Sequence, residues 1–351
     1  MNERILPLRE ADIPSALAML AESYRRVEVL YRPVTEQEFR ARFLGAGRLC
    51  LGAYDGERLV GWIHGAWREN PQEPVYLTLV IVAPECRGQG VGAALVEALK
   101  EEARRLGRWR VVVSGGGPVP LTWLIPGTPG HDHNNAPGAD EDGPGYRFLL
   151  GQGFLETAHE IAMYMPLGAD WQDSALDERI AKLAEQGIRV GRWEPGLGED
   201  YEGMCDRVGS DYWRHVLREE LAAWRENRPN ADPELWPDGR RPRGPRPLLT
   251  ATREGKIIGF TGPVDLQESG RGWFTGICTD PEWSGRGIAS ALFGLLMREF
   301  VAEGAAFTSL FTGRDNPAQR IYHRAGLSVR ARFCVLSCPL SESTKAGLCQ
   351  E

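Results

Sequence analysis

Twice in this chain an apolar strand runs into a glycine-dense turn that opens a helix, and few folds accommodate that arrangement. In one copy the apolar run 273–278 is followed by Asp280-Pro281 and the turn Ser284-Gly285-Arg286-Gly287-Ile288-Ala289. Helical spacing then extends to about residue 301, and a second apolar run lies near 307–311. β-rich stretches that bracket a run of helical period predict strand, turn, helix and strand. Gly285 and Gly287 carry no Cβ, so the backbone can curl there and aim successive N–H groups at one point. That point faces the positive end of the following helix, which makes a cradle for phosphate or pyrophosphate. In the other copy the apolar run 77–82 leads through Ala83-Pro84-Glu85-Cys86 to Arg87-Gly88-Gln89-Gly90-Val91-Gly92. A helix with leucines and alanines on one face follows. Each copy continues into a strand, a short helix and a closing pair, Gly153-Phe154 or Gly326-Leu327. The separation is too long for a solenoid repeat and suits two modules of ordinary size.

Both segments resemble the acyl-CoA-binding motif of the GNAT superfamily of N-acetyltransferases, Arg/Gln-x-x-Gly-x-Gly/Ala. Arg87, Gly90 and Gly92 fill it completely; Gly287 and Ala289 fill the last two places of the second copy, where Ser284 stands for Arg or Gln. A dinucleotide fold is the poorer match, because no downstream acidic residue or repeated βαβ pattern accompanies the glycines. The resemblance implies an α/β (α+β) chain of two GNAT-like domains, each a mixed, mostly antiparallel sheet flanked by helices. Its expected bounds are 1–167 with an insert at 115–145, a connector at 168–187, and 188–351.

Composition agrees with two soluble domains. The chain has 351 residues, 42% hydrophobic and 25% charged, enough for two cores. A net charge of −7 argues against a general nucleic-acid binder. No apolar segment is long enough for a bilayer span, and the N-terminus is charged from residue 3, so a cytoplasmic protein without a membrane partner is expected. Seven scattered cysteines without a CxxC pair suit reduced thiols.

Along the chain, a strand at 5–8 precedes a helix to Arg25 with a weak cap at Asp12 and a second helix near 36–43. Strands alternate around Asp55-Gly56, a hairpin signal. The Gly/Pro-rich insert has no usable period, and a loop of that length is functional or disordered. In it His131-Asp132-His133, with Asp140, Glu141 and Asp142 nearby, has the residue types of a metal site, but a polar surface loop explains them better and no metal is expected. Residues 199–224 read as one long helix. The Pro-rich stretch after it, with Arg240, Arg241, Arg243 and Arg246, is a solvated loop or a lid that steers an anion.

For the chemistry, an amine attacking a thioester must be neutral, the carbonyl needs support as it becomes an oxyanion, and the leaving thiolate takes a proton. The resemblance implies a carbonyl held by the strand before each turn, Gly276-Ile277-Cys278 in one copy and Val80-Ile81-Val82 in the other, with Ile277, Cys278, Thr279, Val80 and Val82 expected to bind the donor. The donor's diphosphate would lie on Ser284, Gly285, Arg286, Gly287, Ile288 and Ala289, or on Arg87, Gly88, Gln89, Gly90, Val91 and Gly92. The family's Tyr-x-x-x-Gly-Phe becomes Tyr322 ahead of Gly326-Leu327, so Tyr322 is the expected acid. Asp315 holds the usual Asn place, and a slip of one residue gives Asn316. In the first copy Leu149 stands in the tyrosine position, with Tyr146 on another helical face. Glu268, Asp265 and Asp280 flank the second cleft as weak base candidates and are expected to be solvated turn residues. The expectation is therefore acetyl transfer from acetyl-CoA to a primary amine of a small molecule or peptide, with chemistry in the second domain. Two alternatives stand: a catalytic first domain using residues of the insert, or an acyl-CoA sensor without turnover.

Overall fold

The computed structural model describes residues 4–27, 30–228 and 245–340. The chain forms two compact units, one running to Ile161 and taking in the last strand from Arg330, the other spanning Ala162–Val329. Residues 330–340, placed by the sequence in the second module, thus pack in the first.

In the first unit, β1 (Arg4–Pro7), β2 (Arg48–Asp55), β3 (Arg58–Ala66) and β4 (Val75–Val82) pair antiparallel in that order. Helices α1 (Ile13–Arg25) and α2 (Glu36–Phe43) cover one face. There Ile13, Ala16, Phe39 and Phe43 pack with Trp62, Leu79 and Ile81. Thr35 and Glu38 form a reciprocal capping box at the start of α2. Asp12 does not cap α1; its carboxylate accepts from Arg9 and from the Tyr54 hydroxyl instead. On the other face lies α3 (Val91–Arg105), whose Val91, Leu95, Leu99 and Ala103 recur at i, i+4 spacing and bury against Val60, Ile63 and Val75.

Strand β5 (Arg110–Val113) runs parallel to β4 and pairs with it only at Val75↔Val111 and Tyr76↔Val112. The insert then folds as β6 (Trp123–Leu124) against β7 (Asp132–His133), followed by β8 (Ala139–Asp140) and α4 (Pro144–Gly151). It is docked, with Trp123 edge-on to Phe333. Strand β9 (Leu155–Pro166) passes from this unit into the next.

The second unit opens with α5 (Leu176–Ala184) and β10 (Arg189–Arg192). The expected long helix is two, α6 (Glu202–Val208) and α7 (Asp211–Arg225). Gly209 at φ +68° ends the first, and the Ser210 hydroxyl accepts from the Trp213 amide to start the second. The strands β11 (Leu249–Arg253) and β12 (Lys256–Gly262) form a hairpin with β11 beside β10. Then come β13 (Asp265–Leu266), β14 (Arg271–Trp273) and β15 (Gly276–Thr279). Helix α8 (Ile288–Ala302) is buried around much of its circumference, since Gly294 lets Leu176 of α5 approach the side away from the sheet. Strand β16 (Phe307–Gly313) pairs parallel with β14 only at Arg271↔Phe307 and Gly272↔Thr308. Helix α9 (Gln319–Ala325) leads into β17 (Ser328–Pro339). From Arg330 on, β17 pairs antiparallel with β5 in the first unit, Leu336 opposite Val113, and with β8, Phe333 opposite Asp140.

Candidate active site

In each unit two parallel strands hold together for two residues and then part, next to a glycine turn. Beyond Tyr76 the edge of β4 that faces β5 has no strand partner among the described pairings, while its other edge is bonded to β3. Alternate backbone amides and carbonyls along Leu77–Val82 therefore turn into the gap. Strand β15 repeats this, bonded to β12 on one edge only. The turns match in detail: φ is +73° and +94° at Gly88 and Gly90, and +77° and +87° at Gly285 and Gly287. The second glycine of each pair caps a helix, α3 or α8, with no side-chain cap hydrogen bond. Both turns are largely solvent-exposed.

The gap in the first unit is a cleft of about 340 Å³. Val80, Val82, Arg87, Gly88 and Gly92 line it, together with Tyr31, Thr78, Tyr146 and Phe148. Three other expected ligands differ. Gln89 donates its side-chain amide to the Glu85 carbonyl at 2.9 Å, Gly90 serves as the helix cap, and the Val91 side chain is buried in the core. Arg87 Nε donates to the Val82 carbonyl at 3.0 Å, tying turn to strand. The insert closes one side of the cleft with Trp123, Gly138 and Asp140. A chamber of about 40 Å³ shares Tyr31, Thr78 and Val113 with it and is walled by Gly115, Val119 and Asn135.

Two titratable groups in this cleft lay outside the expected set. Burial pushes the Tyr31 phenol up to about 12, and the nearby Asp140 charge adds to the rise. Burial also raises the Asp140 carboxyl, against the Asp142 amide that bonds it at 3.0 Å. Asp140 was visible in the sequence only as one acid among several in a loop; Tyr31 carried no local signal. Leu149 is core, 4% exposed. Tyr146, on the helical turn before it, gives its hydroxyl to Glu156, which pushes the phenol up to about 12.

In the second unit Tyr322 is 6% exposed, and its ring lies 5.0 Å from that of Phe293, which in turn lies 6.0 Å from Phe274 at the point where β14 gives way to β15. One ring thus separates it from the parting strands. Burial pushes its phenol up to about 12. Ile277 and Thr279 are half-buried; Cys278 is buried, which pushes its thiol up to about 12 and leaves it a poor nucleophile. Ser284 and Arg286 are exposed on the turn, the Arg286 guanidinium 4.9 Å over the Trp283 ring; Ile288 anchors α8 in the core, and Ala289 is half-buried. Asn316 donates to Thr312 Oγ1 at 2.9 Å and accepts from the Ala318 amide, so its polar atoms shape the turn into α9.

Of the base candidates of this unit, Glu268 is exposed, as expected of a turn residue, whereas Asp280 and Asp265 are not solvated. Asp280 is fully buried. Burial alone would raise its pKa; the Arg207 guanidinium, bonded at 2.9 Å, and the Glu282 amide reverse this and hold it below the usual carboxylate range. Asp265 pairs with Arg246 at 2.9 Å, and Arg246 is buried under Trp273 instead of lying on a lid. Arg240, Arg241 and Arg243 lie outside the described residues. In the insert, Asp132 pairs with Arg32. No described helix is long and apolar enough to cross a membrane.

The acetyltransferase (GNAT) family pattern matches residues 15–114 and again 213–327. The mycothiol acetyltransferase of Thermomonospora curvata is 26% identical over 336 residues, 93% of this chain and 95% of that protein. Two solved structures share the fold. One is a GCN5-related glucosamine N-acetyltransferase region of a fungal multi-domain β-N-acetylglucosaminidase, with TM-score 0.60 and 16% identity over 96% of this chain and 38% of that one. The other is a tandem GNAT protein from the clavulanic acid biosynthesis pathway, with TM-score 0.52 and 15% identity over 97% of this chain and 100% of that one. The chain belongs to the acetyltransferase (GNAT) family, carries its domain in tandem, and is an acyl-CoA-dependent acetyltransferase.

Proposed function

We propose that this chain moves the acetyl group of acetyl-CoA onto a primary amine of a small molecule or peptide. One observation carries the reading: a strand pair that parts after two residues beside a helix-capping glycine turn, in both units. The gap offers an open amide edge to a pantetheine arm and thioester, and the turn offers N–H groups to the diphosphate. The amine nitrogen attacks the thioester carbon, the C–S bond breaks, and the acetyl group stays on nitrogen. The amine proton goes to a base, and the departing thiolate takes a proton from an acid. Amides of the parted strand stabilise the carbonyl oxygen as it gains charge.

The acid we assign is Tyr322, with chemistry in the second unit. A phenol pushed up to about 12 stays protonated at neutral pH and can yield its proton to a thiolate whose thiol pKa is about 8.5. The cleft of the first unit favours a second reading, in which Asp140 is the base and Tyr31 the acid. Its raised carboxyl pKa suits proton abstraction better than that of a solvated aspartate. The likeness to mycothiol acetyltransferase over nearly the full length supports a small-molecule acceptor.

Thiol release from acetyl-CoA with a panel of amines tests both. On the first reading Tyr322→Phe loses about 100-fold or more in kcat while Asp140→Asn stays near the parent. The reverse pattern moves the chemistry to the first unit. A parent chain that binds acetyl-CoA yet releases no thiol with any amine is a sensor, and the transfer reading falls.

A further inference from the structure

Away from the glycine turns, the first unit brings three unlike ligand types together. A Glu156 carboxylate oxygen, a His159 ring nitrogen and the Cys334 sulfur all lie within 4.8 Å of one another. Glu156 and His159 stand on β9 and Cys334 on β17, neighbouring strands that also bond through Thr157 Oγ1 and the Val335 carbonyl at 2.9 Å. Rigid backbone therefore sets the spacing. His159 Nδ1 lies 2.8 Å from Glu141 Oε1, which fixes the ring. Nε2 lies on the other side of the ring, 3.9 Å from Glu156 Oε2. A carboxylate behind an imidazole whose other nitrogen faces further donors is the usual surrounding of a zinc-bound histidine.

Exposure grades across the cluster, from Cys334 at 0% through His159 to Glu156, whose side chain is 43% exposed. The site is floored by sulfur and opens to water on the carboxylate side. An ordinary ion-pair network accounts for the histidine and its two glutamates. It does not account for a thiol within 4.8 Å of both.

We propose that Glu156, His159 and Cys334 form a Zn²⁺ site, with Glu141 orienting His159. Tetrahedral zinc binds these atoms at about 2.0–2.3 Å, so a small inward rotation of the two solvent-facing side chains completes the set. Water takes the fourth position. Thiolate and imidazole select zinc over magnesium or calcium, which prefer oxygen. The Tyr146 hydroxyl donates to Glu156, and Tyr146 lines the cleft. Zinc on that carboxylate competes with the phenol and couples metal occupancy to the cleft wall.

The test is independent of which unit carries the chemistry. The full chain is titrated with Zn²⁺ against a chromophoric chelator, and separately with Co²⁺. One equivalent should bind, and the cobalt form should show tetrahedral bands with a thiolate-to-metal charge-transfer absorption that Cys334→Ser abolishes. Glu141→Gln should weaken zinc about tenfold and Cys334→Ser on the order of 100-fold. Glu156→Gln, at a solvent-facing position that leaves the core intact, should also weaken it. Zinc affinity unchanged in both Glu156→Gln and Cys334→Ser, an octahedral cobalt spectrum, or no stoichiometric binding overturns the proposal.

Discussion

At Gly276, where β15 leaves β14 behind, a Cβ would meet the Trp213 ring at 2.4 Å. The indole packs edge-on against Phe260 at 5.6 Å, so it has no easy retreat. Gly287 is the opposite case: a Cβ there meets nothing within 4 Å, and only its φ of +87° resists substitution. The two glycines consequently fail in different ways. Gly276→Ala should cost about 1–3 kcal/mol through overpacking, lowering the thermal midpoint with or without ligand. Gly287→Ala should cost about 1–2 kcal/mol of backbone strain and act mainly on acetyl-CoA affinity, because the turn relaxes away from its N–H-forward shape. Thermal unfolding and acetyl-CoA titration of both variants separate the cases; equal loss of affinity in each would show that the turn has no special part. At this scale the sequence was readable where chemistry is local. The glycine turns announce themselves by spacing, and each folds with its glycines at positive φ. The Arg207–Asp280 pair and the meeting of Tyr31 with Asp140 do not, because each joins residues far apart in the chain.

Single elements were legible wherever periodicity spoke without interruption. The i, i+4 stripe of α3 and the hairpin at Asp55-Gly56 fold as their patterns require. The stretch 199–224 misled because its apolar spacing continues through Gly209-Ser210, and only the left-handed glycine followed by a serine cap reveals two helices. Strand β3 shows what an element can hide. His64 sits in it with no exposure, its ring 4.7 Å from Phe43. Burial, with Arg48 nearby, pushes its pKa down to about 3. The folded chain therefore keeps this imidazole neutral where the unfolded chain protonates it. Stability is full above the ordinary value near 6.5 and falls as the pH drops towards 3, where the folded form also takes up its proton. Between pH 7 and 5.5 the loss should be about 1 kcal/mol. Denaturant unfolding of parent and His64→Phe at both pH values checks this: the variant should lose that much less on acidification, and parallel losses would mean that His64 is not the buried base of the sheet.

On the scale of the whole molecule, two units built on one plan raise the question of whether both take the donor. Geometry favours donor binding in both. Each turn presents a pair of left-handed glycines within 10° of its counterpart, each caps a fifteen-residue helix, and each adjoins a strand edge without a partner among the described pairings. Nothing in that comparison separates Arg87 from Ser284, since Arg87 spends its Nε on the strand carbonyl. What the sequence could not give at this scale was the return of β17 to β5: a strand's partner is chosen by non-local pairing, and alternation along 328–339 is silent about it. The glycine turns were readable as strand, turn and helix because each is complete within one short stretch. Calorimetric titration of the chain with acetyl-CoA should therefore find two equivalents. A carboxylate at the cap glycine puts negative charge where the diphosphate would lie, and at both positions there is open space for it. Gly90→Glu and Gly287→Glu should each leave one equivalent, and the double variant none. If the parent binds a single equivalent and only one of the two substitutions removes it, the other turn is a relic of duplication with no donor of its own. The unit that keeps its equivalent when the other is blocked, and still releases thiol to an amine, is then the one in which acetyl transfer takes place.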